Sequence, residues 1–118
     1  MVNLQVDAQD CSIVRVKGEL DLSTAPALRT ELKRLIAEGA RHLLLDLKDV
    51  TFIDSSGLVV FIYVRRRLLQ KEGTFALINP NVAVRKVLNI AGLDQIFETY
   101  VPVVDRSKYF REQIRLGS

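Results

Sequence analysis

Val50-Thr51-Phe52-Ile53-Asp54-Ser55-Ser56-Gly57-Leu58, together with the run that continues to Glu72, decides how this chain is read. Upstream of it, Leu43-Leu44-Leu45-Asp46-Leu47 is apolar and of strand length. Downstream, Leu58 to Leu69 is too long for an ordinary strand and contains neither proline nor glycine. The contrast predicts a buried strand over 43–47, a loop over 51–56, and a helix from Ser55 or Ser56 to about Glu72. Asp-Ser-Ser-Gly at the junction has two readings. A serine there can be the N-cap, its hydroxyl accepting a bond from an unpaired N–H of the first turn. It can also be a hydroxyl placed where free N–H groups and the helix dipole would welcome a phosphate.

Successive helical residues advance by about 100°. With Gly57, Phe61, Val64 and Leu68 turned inward and Leu58, Ile62 and Leu69 beside them, Val59, Tyr63, Arg66 and Gln70 point outward. Val59 and Tyr63 then stack one turn apart, beside Ser55 and above Arg66. Apolar residues rimmed by charge make either a protein-binding surface or a seat for another helix, such as the last one.

Outward from this centre the chain alternates element types. Val2, Leu4 and Val6 alternate with polar residues, and Ile13, Val14 and Val16 follow a turn at 8–10, which predicts an N-terminal antiparallel hairpin. Gly18-Glu19-Leu20-Asp21 leaves the second of these strands. A first helix is capped by Ser23 or Thr24, has Pro26 in its first turn, and buries Ala25, Leu28, Leu32, Leu35 and Ile36. Gly39 ends it. Beyond the central helix, closed by Gly73, 75–78 is a strand. Val84, Val87, Leu88 and Ala91 mark a third helix stopped by Gly92, and 96–103 reads as a last strand. Asp105 is placed to cap a short final helix carrying Phe110 and Ile114.

This order predicts one α/β domain over 1–118: a mixed, mostly parallel five-stranded sheet with helical crossovers and the N-terminal hairpin. Loops leaving the carboxyl ends of parallel strands share one edge, and sites form there. The loops 19–24, 51–56 and 79–81 would therefore bring Asp21, Ser23, Asp54, Ser55 and Asn81 onto one rim.

Composition removes several functions. In 118 residues, 48% apolar and 26% charged, no apolar run approaches the ~20 residues of a membrane span. The opening Met-Val-Asn-Leu-Gln-Val-Asp lacks the basic flank and apolar stretch of a signal peptide, so a cytoplasmic location is expected. Cys11 and His42 are the only cysteine and histidine, which leaves no zinc site and a Ser-His-Asp triad only through a histidine remote from the serines. No metal or cofactor is expected. Net charge is +3, with basic clusters at 65–67 and 106–115, but no aromatics interleave with them as a nucleic-acid platform would require. The chain has no Gly-Lys-Ser/Thr loop and no Gly-x-Gly-x-x-Gly turn, so a nucleotide-binding protein is the weakest alternative.

Gly18-Glu19-Leu20-Asp21, Leu45-Asp46-Leu47, Phe52-Ile53-Asp54-Ser55-Ser56-Gly57-Leu58 and Ile90-Ala91-Gly92-Leu93 together resemble the STAS domain family, specifically its free-standing bacterial anti-sigma factor antagonists. The resemblance implies a β-α superhelical domain without catalytic activity. It implies phosphorylation of Ser55 by a partner that is both anti-sigma factor and serine kinase, and reversal by a metal-dependent phosphatase. The unphosphorylated form would bind the anti-sigma factor and free the sigma factor. Asp21, Ser23, Thr24, Asp54 and Ser56 match the family's binding rim, joined by the helix face of Val59, Tyr63 and Arg66. The chain departs from many members in its basic charge and in carrying Val59 where they carry glycine. The alternative within the family is a scaffold or transport-regulator subunit with no serine switch.

Overall fold

Each apolar strand of this chain is followed by an amphipathic helix that must return across the sheet before the next strand begins, which makes neighbouring strands parallel. The computed structural model describes residues 11–100 and 110–115. Its elements are β1 (Cys11–Leu20), α1 (Ala25–Ala37), β2 (His42–Ile53), α2 (Ser55–Gln70), β3 (Thr74–Ile78), α3 (Val82–Ile90), β4 (Glu98–Tyr100) and β5 (Phe110–Arg115). The strands lie in the order β4-β3-β2-β1-β5, and every adjacent pair is parallel. Among the described residues, four strands, β4 to β1, form the α/β body with three helices, and β5 pairs with the other edge of β1.

Val14, Val16, Leu45 and Leu47 of the sheet share one core cluster with Leu28, Leu32 and Leu35 of α1, Phe61, Val64 and Leu68 of α2, and Val84 and Leu88 of α3. Ile13, Leu44, Ala76 and Ile78, of opposite pleat, are buried as well. A strand covered on both faces explains why 43–47 reads as a continuous apolar run. Each leucine so buried contributes about 1.5–3 kcal/mol relative to exposure. Phe61, Phe75 and Phe97 close the far end as an aromatic trio in which Phe97 meets the other two rings edge-on, the centroids 5.8–6.1 Å apart.

Several boundaries differ from those expected. The proposed N-terminal hairpin needs a strand over 2–6, which lies outside the described residues, as do Pro102 and Asp105. β1 continues through Gly18-Glu19-Leu20 instead of ending there, and β2 continues through Thr51-Phe52-Ile53, expected to be loop. Both extensions have one cause: the strands pair with each other to their last residues, Leu20 opposite Ile53. The pairing slips at Arg15/Lys17 and at Gly18/Glu19, where Gly18 takes φ +115°, a conformation open to glycine. Phe110 to Arg115 is a strand parallel to β1, where a helix was expected. Residues four apart fall on one side of a helix or of a strand alike, so Phe110 and Ile114 fit both periodicities. Pairing with β1 decides between them.

Candidate functional site

Asp54 alone connects β2 to α2. Its backbone is extended (φ −125°, ψ −171°) and its Oδ1 accepts the Ser56 N–H at 2.9 Å, so Asp54, not Ser55, is the N-cap. Aspartate matches serine as a cap and adds a favourable charge at the helix N-terminus. Ser55 is the first helical residue, with an exposed side chain, and its hydroxyl has no hydrogen-bond partner among the described residues. Ser56 is half-buried beside it.

The junction is pressed against the end of β1. The Asp54 N–H donates to the Leu20 carbonyl at 3.1 Å. A Cβ on Gly57 would stand 2.5 Å from Leu20 Cγ and 3.0 Å from Ile53 Cγ1. Gly57 is thus required by close approach, which brings the start of α2 against the turn leaving β1.

In that turn Asp21 commits its carboxylate to its own loop. Oδ1 accepts the Ser23 hydroxyl at 2.7 Å, the Ser23 N–H at 2.9 Å and the Thr24 N–H at 3.2 Å. The Ser23 hydroxyl, with the loop N–H groups and the Thr24 hydroxyl, holds the Asp21 carboxyl below the usual carboxylate range, against a smaller opposing effect of desolvation. Thr24 is the residue before α1 but makes no side-chain cap; its hydroxyl donates to the Glu19 carbonyl at 2.7 Å. The third loop joins the same edge through Asn81, which caps α3 by accepting the Val84 N–H at 3.1 Å and donates its Nδ2 to the Val50 carbonyl.

The rim therefore gathers Asp21, Ser23, Thr24, Asp54, Ser55, Ser56 and Asn81. It also carries apolar residues the sequence reading passed over. Leu22 is 78% exposed between Asp21 and Ser23, and Val82 is 79% exposed at the start of α3. The available signal was their position: each lies next to a loop-organising Asp or Asn, where no core-facing helical or strand stripe has begun.

Along α2, Val59 is 60% exposed. Tyr63 is half-buried against the core, with the Arg29 guanidinium 4.3 Å from its ring centroid and Lys33 and Arg67 each at 6.0 Å. Among the described residues it is α1 that flanks it. Arg66 is exposed but lies eleven residues beyond Ser55, roughly 16 Å along the axis, and so is not part of the loop cluster. The expected helical phase needs correction. Val60 is buried, whereas Ile62 and Leu69, placed beside the core, are exposed. Two neighbours cause this: the sheet and α1 cover α2 from one side, and the outer flank is left open.

His42 sits at the start of β2, the opposite end from Asp54, with its Nδ1 2.9 Å from the Thr74 hydroxyl. Among the described residues no three His, Cys, Asp or Glu side chains converge as a metal site, and no helix is long and apolar enough to cross a membrane.

A family model described as "STAS domain" matches residues 3–106, and the chain belongs to this family. The anti-sigma F factor antagonist of Paenibacillus polymyxa is 34% identical over 103 residues, covering 84% of this chain and 88% of that protein. A crystal structure of a putative anti-sigma factor antagonist from Thermotoga maritima is similar with a TM-score of 0.76 at 28% identity, covering 84% of this chain and 85% of that one. The anti-sigma factor antagonist SpoIIAA in its unphosphorylated form has a TM-score of 0.68 at 26% identity, covering 88% of this chain and 90% of that one.

Proposed function

We propose that this protein is an anti-sigma factor antagonist. Its unphosphorylated form binds an anti-sigma factor that is also a serine kinase, which releases a sigma factor; phosphorylation of Ser55 switches binding off. The protein performs no chemistry itself, works in the cytoplasm without cofactor, nucleic acid or membrane, and is restored by a phosphoserine phosphatase. The carrying observation is the Ser55 hydroxyl: exposed, without a hydrogen-bond partner among the described residues, and one residue past the cap. Support comes from relatives named as anti-sigma factor antagonists and from the description of SpoIIAA by its phosphorylation state.

The switch is a local electrostatic event. A phosphate adds about −1.5 to −2 charges and three strong acceptors at neutral pH. The N-terminus of α2 can hold that charge, so the domain need not unfold. Asp54 repels it from the neighbouring position. A partner surface fitted to a neutral hydroxyl would have to bury an unpaired dianion, at a cost of several kcal/mol. In this reading Asp21, Ser23, Thr24, Asp54 and Ser56 give the partner its polar contacts, and Val59, Tyr63 and Arg66 continue the contact along α2.

The test is incubation with the cognate anti-sigma kinase and ATP, followed by mass mapping of the phosphate. Phosphate should appear on Ser55, vanish in Ser55→Ala while binding persists, and be removed by the phosphatase. Phosphate on Ser56, or on no serine, would overturn the switch and leave a scaffold or transport-regulator role.

A further inference from the structure

The open flank of α2 borders a groove of about 410 Å³. One wall is α2 itself, through Ile62 and Leu69; the other is the segment between α3 and β4, through Leu93 and Ile96. Ile62, Leu69 and Ile96 are 36%, 48% and 45% exposed, which is costly for three neighbouring aliphatic side chains unless something covers them. Phe97, 4% exposed and locked in the aromatic trio, gives the groove a firm floor.

Charge says what chemistry the occupant carries. Arg65 and Arg66 line the groove, and no acidic side chain lines it among the described residues. α2 contains no acidic residue at all. Neither guanidinium has an ion pair among the described residues, whereas Arg34 on α1 is paired to Glu31 and Glu38. A second copy of this basic chain is a poor match for such a site. Geometry adds the shape. Ile62 and Leu69 are two turns apart, roughly 10 Å along the axis, the spacing at which an apolar stripe of a second helix packs.

We propose that this groove takes an acidic amphipathic helix of a partner protein, its apolar stripe on Ile62, Leu69 and Ile96 and its carboxylates against Arg65 and Arg66. The inference goes beyond the Ser55 switch and shares with the contact proposed above only Arg66. The groove begins roughly 10 Å along α2 from Ser55 and extends to roughly 21 Å. Charges that far apart on a surface are separated by more than the ~8 Å screening length of physiological salt. Occupancy of the groove therefore does not respond to phosphate on Ser55.

The experiment uses the full chain and three synthetic peptides of about four helical turns. One has a leucine stripe flanked by glutamates; the second replaces every glutamate with lysine; the third keeps the glutamates but replaces the leucines with serine. Fluorescence anisotropy gives affinities, and amide NMR shifts give the location. The acidic amphipathic peptide should bind about tenfold or more tighter than either control and shift residues of 62–70 and 93–97. Arg65→Glu with Arg66→Glu should invert the preference between the acidic and basic peptides. Leu69→Ser should weaken binding about tenfold with an unchanged melting curve, since Leu69 is half-exposed. Ser55→Asp should bind the peptide like the wild type, so the result stands apart from that of the kinase assay. Equal affinity for acidic and basic peptides, shifts centred elsewhere, or no binding would overturn the proposal. So would concentration-dependent self-association that Leu69→Asp abolishes, because it would make a second copy the occupant.

Discussion

Ser23 and Ser55 stand on the same rim, after adjacent strands whose last residues pair with each other, yet their hydroxyls are in opposite states. Ser23 donates to Asp21 Oδ1 at 2.7 Å and helps to build its loop. Ser55 bonds to nothing among the described residues, because Asp54 has already taken the cap. The neighbouring aspartates explain the difference. Asp21 precedes a turn whose own N–H groups and hydroxyls converge on its carboxylate, whereas Asp54 precedes a helix that needs one acceptor and receives it. A serine that stabilises the fold cannot be modified without loosening it. One relieved of that task can carry a reversible charge at little structural cost.

The largest expected effect would break this comparison at the partner. Ser55→Asp should weaken anti-sigma factor binding by on the order of a hundredfold or more, since it places a charge beside Asp54 inside a packed interface. The domain should stay folded, because a carboxylate suits the first turn of a helix. Titration calorimetry with the partner checks the first clause and a thermal melt the second, and wild-type affinity in this variant would remove Ser55 from the interface.

Next in size is the seam that holds the two loops together. Gly57→Ala forces a methyl against Leu20 and should cost about 1–3 kcal/mol in urea unfolding. No such loss would mean that the end of β1 yields freely to α2.

The caps give a smaller, discriminating pair. Asp54→Ala should lose about 1 kcal/mol, while Asp54→Asn keeps most of the cap. Ser55→Ala should change stability by no more than a few tenths of a kcal/mol, since alanine is the better helix former and no cap is removed. A loss in Ser55→Ala as large as that in Asp54→Ala would return the cap to Ser55.

The smallest effect sharpens the Ser23 side. Asp21 has a folded pKa below its ordinary value, chiefly through the Ser23 hydroxyl. Its contribution is thus fully present above the unfolded carboxylate pKa and is lost as pH falls through the folded value. Ser23→Ala should therefore be less stable than the wild type at neutral pH, and the gap should close as acid protonates Asp21. A gap that stays constant down to the lowest pH would assign the loss to packing.

Much of this was legible in the chain because local signals agreed. The stripe of α1, the apolar run of β2 and the helix after Asp-Ser-Ser-Gly each follow from periodicity, and their alternation calls for a parallel sheet. That topology alone brought Asp21, Asp54 and Asn81 to one edge. Where the reading failed, the missing information was a neighbour. Leu20 and Ile53 are strand residues only because they face each other, and Phe110 to Arg115 extends because it pairs with β1. The phase of α2 slipped at Ile62 and Leu69 since a leucine or isoleucine at helical spacing reads as core whether or not anything covers it. The choice of Asp54 over Ser55 as cap turns on where the backbone leaves the extended conformation, and both residue types suit the position. Sequence determined which residues could form the rim and what charge the molecule presents. Tertiary structure decided which hydroxyl was left free and which apolar side chains stayed uncovered, because both depend on contacts between segments distant along the chain.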